Sequence, residues 1–153
     1  MGCISKIRNF SIQNSFMKKI QMLSLVALLL YPFFLAAQKD YRVVFDLTSK
    51  DSLDHRAVLR WAGEVANAEK DAKVEVVMYG QGVHMVKDKS QYADKITDLL
   101  KNKNVSFKVC AVALKAQGLD KSELIPGVQV VPDGIYEIIS KQREGWGYIK
   151  AVH

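Results

Sequence analysis

The chain has 153 residues, 49% of them hydrophobic and 25% charged, the proportions of an ordinary globular domain, which excludes a disordered or fibrous chain. Its formal charge of +6 is not a nucleic-acid signal: Lys6, Arg8, Lys18 and Lys19 precede residue 38, and removing these four from 22 basic residues leaves 18 against 16 acidic ones. One domain without a nucleic-acid partner is expected.

Met17 to Ala37 opens with Lys18 and Lys19, continues as an apolar core and ends in small residues before Gln38. That is the pattern of a secretory signal peptide cleaved after Ala37. Read as a membrane anchor, the run from Met22 to Ala37 falls short of the ~20 residues that span a bilayer, and Pro32 interrupts it. Residues 1–16 lack the apolar character of a leader, so Met17 is an alternative start. Met1-Gly2-Cys3 does not fit N-myristoylation, because Lys6 stands where Ser or Thr belongs. The expected product is exported, periplasmic or extracellular, free of the membrane, and carries Cys110 as its one cysteine. A lone thiol in an oxidising compartment is buried and inert, paired between chains, or kept for its reactivity.

Tyr41–Leu47 is β-branched and aromatic and reads as a first strand, ended by the turn cluster Thr48–Ser52. Val58, Leu59, Ala62, Val65 and Ala66 recur at helical spacing and predict an amphipathic helix from Leu53 to about Glu69, opened by Asp51 or Ser52. Lys73–Tyr79 is nearly continuously apolar, as expected of a strand covered on both faces. Gly80-Gln81-Gly82 reads as a loop at that strand's carboxyl end. A G-x-G-x-x-G phosphate cradle would need a third glycine where Met85 stands, so turn geometry is the better explanation. His84 follows in the short apolar piece Val83–Val86, either as an acid or base or as a hydrogen-bonded loop histidine; with His55 and His153 it makes no H-x-x-x-H spacing, and no metal site is expected.

Tyr92–Lys103 carries Ala93, Ile96, Leu99 and Leu100 on one face and reads as a second helix. Val105–Cys110 alternates in polarity and ends on the cysteine, and Ala111–Gln117 has helix composition: a strand delivers a thiol to a helix start. A helix start at a strand's carboxyl end favours an anion such as a thiolate, whereas burial among Val109, Val112 and Leu114 favours the neutral thiol. Gly118 ends that helix, Leu119–Leu124 adds a short helical turn, Val128–Val131 is a fourth strand, and Pro132-Asp133-Gly134 follows it. A helix from Ile135 is closed by Gly145, and Trp146–Ile149 is a last strand, placed beside the first. The fold class is a three-layer α/β/α sandwich with a mainly parallel five-stranded sheet, flavodoxin-like in architecture, over residues 38–153.

In this order and spacing, Tyr41-Arg-Val-Val-Phe-Asp46, Val74-Glu-Val-Val-Met-Tyr-Gly-Gln-Gly-Val83, Val105–Cys110 and the run from Val131 through Gly134 and Gln142 to Glu144-Gly-Trp-Gly-Tyr-Ile149 resemble the DsrE/DsrF-like family of small α/β proteins. The resemblance covers nearly all of residues 41–150. It implies that a cysteine matching Cys110 accepts sulfur as a persulfide, taken from a donor protein and passed to an acceptor, so the activity is at most that of a sulfurtransferase-type carrier. It also implies a homo-oligomer built on trimers; in the sequence itself the apolar Val83, Met85, Val86 and Trp146 are the candidate interface groups. Cys110 is then the candidate sulfur acceptor and His84 a candidate acid or base. Asp46, Gly80, Gly82 and Gly134 are expected to line the pocket, and no cofactor is expected without a phosphate loop. The alternative is a non-catalytic oligomeric binding module in which Cys110 is a pocket or core residue.

Overall fold

The computed structural model describes residues 41–152, so the leader and Cys3 lie outside the described residues. Strands β1 (Arg42–Leu47), β2 (Lys73–Met78), β3 (Val105–Cys110), β4 (Gln129–Val131) and β5 (Gly147–Lys150) form one sheet in the order β4-β3-β2-β1-β5. Every pairing is parallel, and β5 lies beside β1 as expected. Between the strands run α1 (Ser52–Ala68), a 3-10 segment (Gly80–Val86), α2 (Ala93–Leu99), α3 (Ala111–Ala116), a 3-10 turn (Lys121–Glu123) and α4 (Gly134–Arg143).

Right-handed crossovers assign these segments to faces. From β1 to β4 the chain steps one way across the sheet, so the segments between them share a face; β4 to β5 reverses direction and puts α4 on the other. Period-two alternation does the rest. Val43, Phe45, Leu47, Val74, Val76, Met78, Val105, Phe107 and Val109 join Val58, Leu59, Ile96, Leu99 and Leu114 in the large first-face core. The intervening residues turn to the second face, where Val44 and Val77 meet Ile138 of α4. Among the described residues a single ten-residue helix, about 15 Å long, covers that face, and the sheet residues beneath it include the polar Asp46, Glu75 and Lys108.

Local chemistry sets the boundaries. Asp51, not Ser52, caps α1 by accepting from the Leu53 N–H at 2.7 Å. α2 ends at Leu99, short of the expected Lys103, because the next residues tighten into turns: Asn102 N–H donates to Leu99 O, and Asn102 Oδ1 accepts from the Asn104 N–H at 2.9 Å. Such side-chain acceptors compete with helical bonds. α4 begins at Gly134, one residue early, because Asp133 caps it. Gly80–Gly82 is not an open loop but the start of the 3-10 segment, held by Gln81 and Gly82 N–H groups that donate to Thr48 O at 3.1 and 3.0 Å.

Val83, Met85 and Val86 are fully buried in the first-face core and are therefore unavailable as interface groups. Trp146 is half-buried, with Arg42 at 6.0 Å and Lys141 at 5.0 Å from its ring centre. Among the described residues no helix is long and apolar enough to cross a membrane.

Candidate functional site

Cys110 is the last residue of β3 and the N-cap of α3. It stands at the carboxyl edge of the sheet, where ligands of open α/β sheets bind. α3 is only six residues long, so its start contributes little; the amino end of α4 also reaches Cys110. A methyl group on Gly134, the first residue of α4, would stand 3.2 Å from Cys110 Cβ, 3.3 Å from Val77 Cγ1 and 3.5 Å from Tyr79 Cβ. The bare Gly134 backbone therefore lets the amino end of α4 close over Cys110, which is 5% exposed. The helix end favours negative charge there. The Asp133 carboxylate opposes it in part, since it accepts from the Ile135 and Tyr136 N–H groups at 2.8 and 3.3 Å.

Tyr79 links Cys110 to a second cluster on the same face. Its hydroxyl donates to Asp46 Oδ2 at 3.2 Å, and the Tyr148 hydroxyl from β5 donates to the same oxygen at 2.7 Å. Asp46 is 3% exposed, and its other oxygen, Oδ1, is buried with no hydrogen-bond partner. Both phenols are pushed up to about 12, Tyr79 chiefly by burial and then by the Asp46 charge, Tyr148 chiefly by its hydrogen bond to Asp46. An unfolded chain releases these protons from pH ~10, whereas the folded chain holds them to about 12, so their stabilisation is lost as pH rises through that window. Asp46→Asn is expected to return Tyr148 most of the way to the ordinary phenol range and Tyr79 less far. Phenolate absorbance against pH measures this; unchanged titration in the variant would remove Asp46 as the cause.

A third group lies deeper under α4. Lys108 Nζ sits 2.9 Å from Glu75 Oε2 and 2.6 Å from Glu137 Oε1, while Lys141 reaches Glu137 at 3.9 Å and Glu144 at 3.3 Å. Burial holds the Glu75 carboxyl above its usual range although Lys108 pulls it back. Burial raises Glu137 too, but it stays below its usual range because hydrogen bonds from Lys108 and Glu75 and the charges of Lys108 and Lys141 together outweigh that cost. This network fastens α4 to the sheet.

The expected site residues therefore separate. Cys110 and Gly134 meet, and Tyr79 connects them to Asp46. His84 does not join them: its Nε2–H donates to Gln117 Oε1 at 3.1 Å, and Gln117 lies seven residues past Cys110, about 10 Å along α3. Gly80 and Gly82 dock the end of β2 onto the end of β1 and leave no cradle for a phosphate; a Cβ on Gly82 would fall 2.3 Å from Leu47 O. Tyr79, Tyr148 and the Glu75–Lys108–Glu137 network were not foreseen. Their signal was a polar residue in each central strand at a position that alternation assigns to one face. Among the described residues no group of three or more His, Cys, Asp or Glu side chains is placed to hold a metal ion.

Comparison with known proteins agrees with this architecture. No functionally curated protein matches the chain. A protein of unknown function from Methanobacterium thermoautotrophicum, MTH1491, is 32% identical and superposes with a TM-score of 0.69 over 72% of this chain and 99% of its own. The ychN protein from E. coli shares the fold at 15% identity, with a TM-score of 0.62 over 72% of this chain and 98% of its own. BT1422 from Bacteroides thetaiotaomicron, also of unknown function, does so at 15% identity and a TM-score of 0.54, over 71% and 93%. Residues 42–151, from the first strand past the last, match the DsrE/DsrF-like family, and the chain belongs to that family.

Proposed function

We propose that the protein is an exported sulfur carrier that holds sulfane sulfur on Cys110 as a persulfide. The observation that carries this reading is the position of Cys110 at the carboxyl end of β3, against the amino end of α4, in a chain of this family. The thiolate attacks the terminal sulfur of a polysulfide. A bond forms between Cys110 Sγ and that sulfur, the donor's S–S bond breaks, and its electron pair leaves with the shortened polysulfide. An acceptor thiolate then attacks the outer sulfur and releases Cys110 as thiolate. Because Cys110 is 5% exposed, the donor reaches it when the first turn of α4 lifts. Val112, Ile135 and Tyr136 are exposed beside the two helix starts and offer apolar surface to a partner protein or to the other subunits of a trimer-based homo-oligomer. Export follows from the leader, with cleavage after Ala37.

The burial of Cys110 specifically favours the second reading, a binding module in which the cysteine only packs. Mass spectrometry of the protein from its producing cell decides between them. After polysulfide treatment, the denatured chain is expected to begin at Gln38 and to gain about 32 Da, one sulfur atom, that Cys110→Ser does not gain; the native ion is expected to be a multiple of three chains. A wild-type thiol that takes up no sulfur and resists alkylation would leave the binding module.

A further inference from the structure

The sulfur reading makes no use of the groove between α1 and α2. It is an open groove of about 540 Å³, within the range of roughly 300–1,000 Å³ of small-molecule sites. Arg56, Arg60 and Lys95 line it against one carboxylate, Glu64, which lies 3.5 Å from Arg60. Among the described residues neither Arg56 nor Lys95 has an ion-pair partner. The groove is therefore cationic beyond its own neutralisation. Its base is apolar and fixed: Leu59 is buried, and Tyr92 is 9% exposed with its ring edge on His55 at 5.2 Å and its hydroxyl accepting from Gln91 Nε2 at 3.0 Å.

Gly63 supplies the independent observation. It lies inside α1 and lines the groove. Its φ is not positive, and an added Cβ would meet only Leu99 Cδ2, at an ordinary 3.6 Å. Neither backbone nor packing requires glycine there, and alanine is the better helix former. What the missing side chain does is leave the floor of the groove bare.

We propose that this groove binds a small organic anion, its carboxylate or phosphate head between Arg56, Arg60 and Lys95 and its apolar body on Leu59 and Tyr92 over Gly63. The test is calorimetric titration of the whole protein with 1-naphthyl phosphate and 1-naphthylacetate, beside inorganic phosphate and neutral 1-naphthalenemethanol. At least one aryl anion is expected to bind, and which of the two binds identifies the head group. Inorganic phosphate and the neutral alcohol are expected to bind about tenfold more weakly or not at all. Arg56→Glu and Lys95→Glu, both at exposed positions, are each expected to weaken binding about tenfold, and Gly63→Leu to abolish it. Gly63→Ala controls for folding, with an unchanged or raised melting midpoint. Cys110→Ser is expected to bind as wild type, which separates this site from the sulfur reading. Failure of both aryl anions to bind at roughly millimolar concentration, binding indifferent to the charge reversals and Gly63→Leu, or equal affinity for inorganic phosphate would each overturn the proposal.

Discussion

Lys108→Met is expected to lower folding stability by about 3–5 kcal/mol at pH 7, because it strands a buried carboxylate without its counter-charge. Methionine keeps most of the lysine stem, so the loss is electrostatic rather than a cavity. Glu75 is 3% exposed and one of its oxygens, Oε1, already lacks a partner; on Oε2 Ser106 Oγ donates only a long 3.5 Å hydrogen bond, so Lys108 at 2.9 Å is the counter-charge that makes its charge tolerable. Burial raises the Glu75 carboxyl even with Lys108 present, and removal of the ammonium raises it further. A raised folded-state value means that the native chain binds the proton more tightly than the unfolded chain. The variant's stability is therefore highest below the ordinary carboxylate value and falls as pH climbs through the raised one. Urea unfolding at pH 5 and pH 7 checks this: the deficit against wild type is expected to shrink at pH 5, and Glu75→Gln combined with Lys108→Met is expected to recover part of it. A deficit below about 1 kcal/mol at both pH values would place the pair among ion pairs of negligible worth.

Gly82→Ala is expected to cost about 3 kcal/mol or more, the upper end for an overpacked site. The added Cβ would fall 2.3 Å from Leu47 O and 2.9 Å from Leu47 C. A backbone carbonyl at the end of a buried strand has no rotamer by which to withdraw, so the 3-10 segment must lift. Lifting breaks the Gly82 N–H bonds to Thr48 O and Tyr79 O, both 3.0 Å, and exposes part of Val83, Met85 and Val86, which are fully buried. Gly80→Ala is the informative contrast. Gly80 has φ +57° but its Cβ would meet nothing nearer than 3.5 Å, so only the left-handed backbone, about 1–2 kcal/mol, is lost. Thermal unfolding of the two variants is expected to rank Gly82→Ala well below Gly80→Ala; a Gly82→Ala protein that melts with wild type would show that the segment is not docked on β1.

By itself the sequence determined the order of the strands and α-helices, the mainly parallel sheet and the place of β5 beside β1, because apolar periodicity and turn residues are local signals that survive without tertiary context. It also placed Cys110 at a strand's carboxyl end. What only the tertiary structure decided is who meets whom across strands. Asp46, Glu75 and Lys108 each look like an isolated polar residue in an apolar run, and nothing within a strand says that Tyr148, 102 residues from Asp46, shares its carboxylate. His84 and Cys110 both looked competent for chemistry, but a 3-10 segment and a helix pin His84 to Gln117 instead. The two glycines at positions 80 and 82 read as turn formers, while the requirement at Gly82 is a 2.3 Å approach to another strand's backbone. The burial of Cys110 follows in the same way from Gly134, whose missing side chain lets the start of a helix 24 residues downstream lie against Cys110 Cβ. Partnership, exposure and close approach are properties of pairs far apart in the chain, and they come into being only when parallel strands are stacked in register.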